Sequence, residues 1–463
     1  MKSIVVKGTF SGSSASIVEG TIWKALLAFF FPILFGTFFQ QLYNTIDAVI
    51  VGRFVGKEAL AAVGGGSAVF VNLIVGFFVG LTSGGGVLIS QFYGAKNLSG
   101  ISRSVHTALA LSLVCGLLMS VLGVLLAPPM LTLIKTPADT YGQSLLYLRI
   151  FFLGMIPMSV YNMGSGILRA VGDSRTPLII LIAGCGANIV LDLLFVVLLG
   201  AGIAGVAVAT VICQLITAAI TLAVLFRTRD SYRLSLRKIA FTPHILAKIL
   251  RLGFPAGVQS SLYTISNLII QTFINSFGTD CAAAWAAYGK LDSIFWMIIN
   301  AMGIAITTFS GQNYGAGKYA RIRKGMWQSL AMAFVFTLAM STSFYVWVDR
   351  LLLMFTTDTA VIAQGAAMLR FLTPFWVTYI SIEILSGTIR GAGRSFIPML
   401  ITVLGVCLLR IVWLFTAVSR NNTVPMVMAS YPITWTITSL LFWIYYLSGK
   451  WLDTGAKARG KAR

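Results

Sequence analysis

The sequence predicts an all-α polytopic membrane protein, with twelve transmembrane helices in two parallel six-helix bundles related by a pseudo-twofold axis along the membrane normal. Three observations predict it. Of 463 residues, 57% are hydrophobic and 10% charged, against about 25% charged in a soluble domain, so there is too little polar surface to face water all round. Twelve apolar stretches of roughly bilayer-crossing length run through the chain. Several motifs also recur at one constant offset.

In order, the stretches cover residues 25–50, 60–90, 104–127, 145–167, 177–199, 202–226, 251–275, 284–309, 325–347, 367–389, 397–418 and 426–448. The second carries enough glycine to be broken. Its triplets Gly64-Gly65-Gly66 and Gly84-Gly85-Gly86 read as close helix packing in an apolar span rather than as cofactor loops. Around the spans the expected organisation is a cytoplasmic segment 1–24, a six-helix lobe 25–226, a cytoplasmic linker 227–250, a second lobe 251–448 and a basic cytoplasmic tail 449–463. Thr242-Pro243 suits an N-cap and first helical turn within the linker.

The repeats explain the two halves. Gln91, Tyr93, Gly94 and Ala95 match Gln312, Tyr314, Gly315 and Ala316 at an offset of 221. At the same offset Ser165-Gly166, Arg169, Gly172, Ser174 and Pro177 match Ser386-Gly387, Arg390, Gly393, Ser395 and Pro398. Nearer each start the offset is 223, pairing Pro32 with Pro255 and Asn44 with Asn267. A constant offset across separated motifs marks duplication. Six crossings per unit give both halves the same orientation, and solute sites in such proteins lie between halves near mid-bilayer. The arginines of the repeated GxxRxxG read as capped helix ends that snorkel toward phosphate.

A net charge of +21 raises the question of nucleic acid, and the distribution answers it. With the N-terminus inside and twelve crossings, 25 of 34 basic residues fall on the cytoplasmic side and five outside. That follows the positive-inside rule, so the partner of this charge is the lipid bilayer and not nucleic acid. Both termini are expected in the cytoplasm and the location is the cell membrane of a bacterium, with a monomeric chain. No removable signal peptide is expected. The five cysteines lack CxxC spacing and the two histidines lie near helix ends, so neither a disulfide framework nor a His-based metal site is expected, and no cofactor. GxxxxGK[ST] is absent, so the chain carries no ATP motor of this type.

Ionisable groups at a helix centre cost about 2.5–3.5 kcal/mol on insertion scales and mark function by default. Four acids qualify: Asp47, Asp192, Asp292 and Glu383. Gln40, Asn44 and Asp47 share a helical arc, and Asn188 stacks one turn before Asp192. Carboxylate and amide oxygens on two facing helices suit a hard cation, while a proton needs only a buried carboxylate. Asp292 reads as paired with Arg410 or as a solute contact. Aromatic residues and methionines are numerous enough to line a cavity for flat organic cations, although most will face lipid or pack helices.

With these residues in view, the chain resembles the MATE (multidrug and toxic compound extrusion) transporters over roughly residues 20–450, nearest the bacterial DinF-like and NorM-like branches. The resemblance rests on twelve helices in two halves, the paired QxYGA and GxxRxxG motifs, and the intramembrane acids. It implies a cation-coupling site of Asp47, Asn188, Asp192 and Thr210. It also implies a Tyr379/Glu383 pair in the second half, with Glu where NorM-like members have Asp. Counting from Pro255 reaches Tyr263 where those members carry a Glu, so a second cation site is not expected and Glu383 is left to meet a cationic substrate. The implied function is a secondary active efflux transporter, not an enzyme, exporting small organic solutes, cationic or amphiphilic, in exchange for Na⁺ or H⁺. A flippase for a lipid-linked oligosaccharide is the alternative, for which the interior, with Asp47, Asp192 and Glu383, looks too acidic. A membrane-embedded enzyme would need a catalytic constellation, and none is visible.

Overall fold

The structure is a computed structural model that describes residues 17–452. Most of the expected N-terminal segment and basic tail therefore lies outside the described residues. Twelve long helices follow one another: α1 Ile22–Val55, α2 Lys57–Gly94, α3 Leu98–Leu133, α4 Ala138–Ala170, α5 Arg175–Leu198, α6 Gly202–Arg227, α7 Pro243–Asn275, α8 Thr279–Gly315, α9 Tyr319–Leu352, α10 Thr359–Gly391, α11 Phe396–Val418 and α12 Val424–Leu447. Ten are long and apolar enough to cross a membrane, and α4 makes an eleventh once its two segments are joined across a 49° bend.

The exception is α7. It is 33 residues long but carries Gln259, Ser260, Tyr263, Asn267 and Gln271, all of which line a central cavity. Expecting it to read as an ordinary apolar span was therefore too simple, because one face meets the cavity instead of lipid. The helical turn expected at Pro243 is the start of α7 itself, so the part of the 227–250 connection outside the long helices is 228–242, with a 3₁₀ turn at Leu236–Lys238. Thr242 precedes it without a side-chain capping bond; its N–H donates to Thr107 Oγ1 at 3.2 Å.

Glycine shapes the helices where backbone must approach backbone. The break expected in α2 falls at Gly65, between Lys57–Gly64 and Gly66–Gly94. Beyond it, Gly76, Gly80 and Gly84 form one small-residue stripe four apart. A Cβ on Gly80 would come 2.6 Å from the Gly257 nitrogen of α7, and one on Gly76 would come 2.6 Å from Ser260 Oγ. A Cβ on Gly253 would come closer still, onto the Leu81 carbonyl oxygen of α2. Overpacking a core costs about 1–3 kcal/mol where side chains can yield, and here backbone would have to yield. Gly80→Leu is expected to lower the amount of folded protein several-fold, read by size-exclusion profile and melting temperature. A normal profile would mean that α2 and α7 do not meet as described.

Duplication is visible in matched details. Ser120 Oγ donates to Phe152 O at 2.7 Å, and Ser341 Oγ, 221 residues on, to Thr373 O at 2.8 Å. Both bonds brace the break in a helix, at Gly154 in α4 and at the 3₁₀ turn Thr373–Phe375 in α10. In each case the hydroxyl adds a donor to a carbonyl that a backbone N–H at the break also meets.

The cores do not divide cleanly by sequence half. The opening turns of α1 (Ile22, Leu26, Phe30, Ile33) are buried in the cluster built by α8–α10 and α12. The opening turns of α7 (Ile245, Ile249, Leu252) are buried among α2, α3, α4 and α6. The far end of α1, Ile50 and Val51, packs instead with Val196, Ile203 and Val206 of α5 and α6. Helix α1 thus bridges both cores, with Pro32 between its two footings.

Candidate functional site

Two constellations emerge, well separated in chemistry. The first lies where α1, α5 and α6 meet. The Asn188 amide, oriented to satisfy its neighbours, donates to Asp47 Oδ1 at 2.8 Å and to Asp192 Oδ2 at 3.1 Å. Asn188 and Asp192 are fully buried and Thr210 is 3% exposed, while the second Asp192 oxygen, Oδ1, has no hydrogen-bond partner. The two carboxyl groups are within hydrogen-bonding reach of each other, and the Tyr43 hydroxyl lies beside both Asp47 and Thr210. Thr210 donates to Val206 O at 3.0 Å, which leaves its oxygen free to accept.

Local backbone supports this convergence. Helix α1 passes into a π-helical turn at Val51–Val55 shortly after Asp47, and α5 does so at Leu193–Leu198 immediately after Asp192. π-Turns inside α-helices re-aim side chains and gather at functional sites. Asp47, Asn188, Asp192 and Thr210 are therefore brought together. Gln40 and Asn44 are not: both are exposed and, among the described residues, make no hydrogen bond, although α5 packs along α1 from Gly36 onward. Tyr43, one turn before Asp47, was legible from the same spacing rule that picked out Asn44, yet only the structure turns it inward.

Two adjacent carboxylates in an apolar bundle repel strongly, since Coulomb energy grows as the local dielectric falls. One positive charge, a proton or a small hard cation, relieves them. Turned over, the Asn188 amide would present its carbonyl oxygen to the same point, so the set offers oxygen donors of the kind such cations take.

The second constellation is a cavity of about 810 Å³ lined by α2, α4, α7, α8 and α10–α12. None of Gln40, Asn44, Asp47, Asn188, Asp192 or Thr210 lines it. Its walls carry Trp285, Tyr288, Trp296, Tyr379, Tyr431 and Trp435, with ring pairs as close as 4.6 Å for Trp296 and Tyr379. Its charged residues are Arg169, Arg390, Arg410, Asp292 and Glu383, three guanidinium groups against two acids. The expected acidic interior is thus corrected: the acids of α1 and α5 lie elsewhere, and the cavity is cationic in sign.

Several expectations change here. Glu383 is not free for a cation, because Arg390 holds it at 3.0 Å on the same helix, both half-buried. Tyr379 does not pair with Glu383 through a hydrogen bond; its hydroxyl meets that of Tyr263 at 3.0 Å. Asp292 makes no ion pair with Arg410. Its two oxygens accept the indole N–H of Trp296 at 2.7 Å and of Trp376 at 3.1 Å, while Arg410 lies over the Tyr431 ring, 4.1 Å from its centre. Arg169 and Arg390 line the cavity instead of snorkelling. The helix-end reading of their motif is otherwise sound: Gly172 and Gly393 take φ of +99° and +90° and donate to the Arg169 and Arg390 carbonyls, as C-capping glycines do. Sequence reasoning treated Arg410 only as a partner for Asp292, although the rule that singled out intramembrane acids nominates a lone intramembrane arginine too.

At one end the cavity is closed by the QxYGA motifs. Gln91 Nε2 donates to Gly391 O, and Gln312 Nε2 to Ala170 O, each at 2.8 Å and each crossing between halves. Gly94 lies against the Gln312 carbonyl and Gly315 against that of Gln91, with no room for a Cβ on either. The repeated motif is a reciprocal clasp.

Comparison with known proteins agrees with this architecture. The chain is 28% identical over 92% of its length, and 94% of the relative's, to the "Probable multidrug resistance protein YoeA" of Bacillus subtilis (strain 168). It is 23% identical to the "Probable multidrug resistance protein NorM" of Thermotoga maritima, covering 96% of each. A solved structure described as the outward-facing conformation of a multidrug resistance MATE family transporter of the MOP superfamily superposes with a TM-score of 0.89 at 23% identity, over 96% of this chain and 99% of that one. The sequence profile described as MatE matches residues 32–194 and 255–416, one stretch in each half. The chain therefore belongs to the MatE family and is a multi-pass membrane transporter, not an enzyme.

Proposed function

We propose that the protein is a cation-coupled antiporter that exports organic, cationic or amphiphilic, solutes through the central cavity in exchange for Na⁺ or H⁺. The observation that carries this reading is the Asp47–Asn188–Asp192 group, half-buried at Asp47 and fully buried at the other two, whose two carboxylates need a positive charge and whose Asp192 oxygen has no partner. In this reading residues 25–226 and 251–448 act as two lobes of a monomer joined by 227–250, with both termini cytoplasmic in a bacterial cell membrane. Cation loading draws the far end of α1 onto α5 and α6. Because the near end of α1 is rooted in the other core, the movement acts on the contact between lobes, with Pro32 as the weak point.

A tenfold ion gradient is worth about 1.4 kcal/mol, and 100 mV adds about 2.3 kcal/mol per charge. One ion therefore drives substantial accumulation of a neutral solute. The test is uptake of a fluorescent organic solute into proteoliposomes under separate Na⁺ and pH gradients. Acceleration by one gradient, abolished by collapsing it, is expected; identical rates with no gradient would sink the coupling. A flippase for a lipid-linked oligosaccharide stays as the second reading because the cavity's three arginines match the sign such a headgroup requires. Movement of that lipid between leaflets without any ion gradient would favour it.

A further inference from the structure

We infer that the central cavity takes its solute by an anionic group, a carboxylate on an aromatic body, and that Arg410 receives that group. This keeps the amphiphilic part of the substrate class in the antiport reading, replaces its cationic part, and rests on that reading for the direction of transport alone. Arg410 is 2% exposed, yet lines the cavity. It projects from α11 between two π-helical turns, Val403–Leu408 and Leu414–Val418. One terminal nitrogen donates to Thr434 Oγ1 at 3.4 Å, and Nε has no partner. Among the described residues no carboxylate lies within 4.0 Å of it, whereas Arg390 has Glu383. The acid that shares its neighbourhood, Asp292, is already committed to two indole N–H groups.

A buried guanidinium with unspent donors is expensive to hold and awaits an anion. Its planar fork matches a carboxylate in two parallel bonds. Tyr431 backs that fork on one face, so it is fixed in plane before any solute arrives. Trp285, Trp296 and Trp435 then offer ring faces for an aromatic body. A cationic solute meets a Tyr431 ring face already taken by Arg410 and a wall on which arginines outnumber acids. There is an energetic consequence for coupling. Exporting a monovalent cation against one imported cation moves no net charge, whereas exporting an anion moves two charges down an inside-negative potential. Efflux should then depend on voltage as well as on the ion gradient.

The experiment is calorimetric binding to the purified full chain of three probes of one shape, 2-naphthoate, 2-naphthamide and 2-naphthylmethylammonium. The wild-type chain is expected to bind naphthoate at least roughly tenfold tighter than the neutral amide, with the ammonium weakest. Arg410→Gln should erase the difference between naphthoate and naphthamide, and Arg410→Lys should keep part of it. Equal or tighter binding of the amide or the ammonium to wild type overturns the inference, as does unchanged naphthoate affinity in a folded Arg410→Gln chain. So does displacement of naphthoate by an equal concentration of a polyprenyl pyrophosphate. The wild-type series decides even if the variant does not fold. Binding without gradient-driven transport would overturn the antiport reading and leave this one standing.

Discussion

Asp192→Asn is expected to abolish ion-driven efflux in proteoliposomes while leaving the amount of folded protein unchanged. The substitution keeps the shape of a side chain that is fully buried and removes only its charge. Folding then loses nothing, since a buried carboxylate beside a second one and without a counter-charge is a cost, and the chain should be as stable as before or more so. Coupling loses its essential feature. With one carboxylate left, nothing requires a positive charge between α1 and α5. A charge-assisted contact to an ion is worth about 1.5–3 kcal/mol, so cation affinity should fall roughly 10- to 150-fold. Asp47→Asn should do the same. Retained gradient-driven transport in either variant, at normal protein levels, would remove the coupling mechanism. Thr210→Val should weaken coupling less, because it deletes a neutral oxygen.

Gly94→Leu and Gly315→Leu are expected to hold open the end of the cavity that the QxYGA motifs close. Each glycine faces the other half's glutamine carbonyl with no space for a Cβ, so a leucine can be accommodated only by parting the halves. If parting costs the closed state about 1–3 kcal/mol, the closed-to-open ratio falls roughly 5- to 150-fold. A cysteine placed at Asn162 on the cavity wall, in a chain whose five native cysteines are replaced by serine, reports the change. It should react faster with a membrane-impermeant thiol reagent offered from the motif side in the leucine variants, and transport should be lost. Equal labelling in parent and variant would mean that the clasp is not a gate.

Much of this protein was legible before any coordinates. Hydropathy gave the count of helices because lipid tolerates no unpaired backbone and helices satisfy their own. The expensive acids Asp47 and Asp192 stood out for the same reason, and the four-residue step from Asn188 to Asp192 placed amide and carboxylate on one face. The break in α2 and its close packing followed from glycine alone. The misreadings have two causes. Arg390 and Trp296 lie on the same helices as Glu383 and Asp292, seven and four residues on, and were open to the spacing rule. The Trp376 indole beside Asp292 and the Tyr431 ring under Arg410 come from other helices and depend on how those helices are rotated about their axes. Gln40 and Asn44 differ again: helical spacing put them on the arc of Asp47, and only packing decides which side of that arc a neighbouring helix covers.

The sequence by itself determined the architecture, the duplication and the identity of the costly buried carboxylates, because these follow from solvation and helical periodicity, which act within a segment. The tertiary structure alone decided that α1 and α7 begin in each other's cores, that the QxYGA motifs clasp across the halves, and that the central cavity is arginine-rich instead of acidic. Charge sign in a cavity is a sum over side chains contributed by distant segments and cancelled pair by pair. No local pattern reports which members of that sum are left uncancelled.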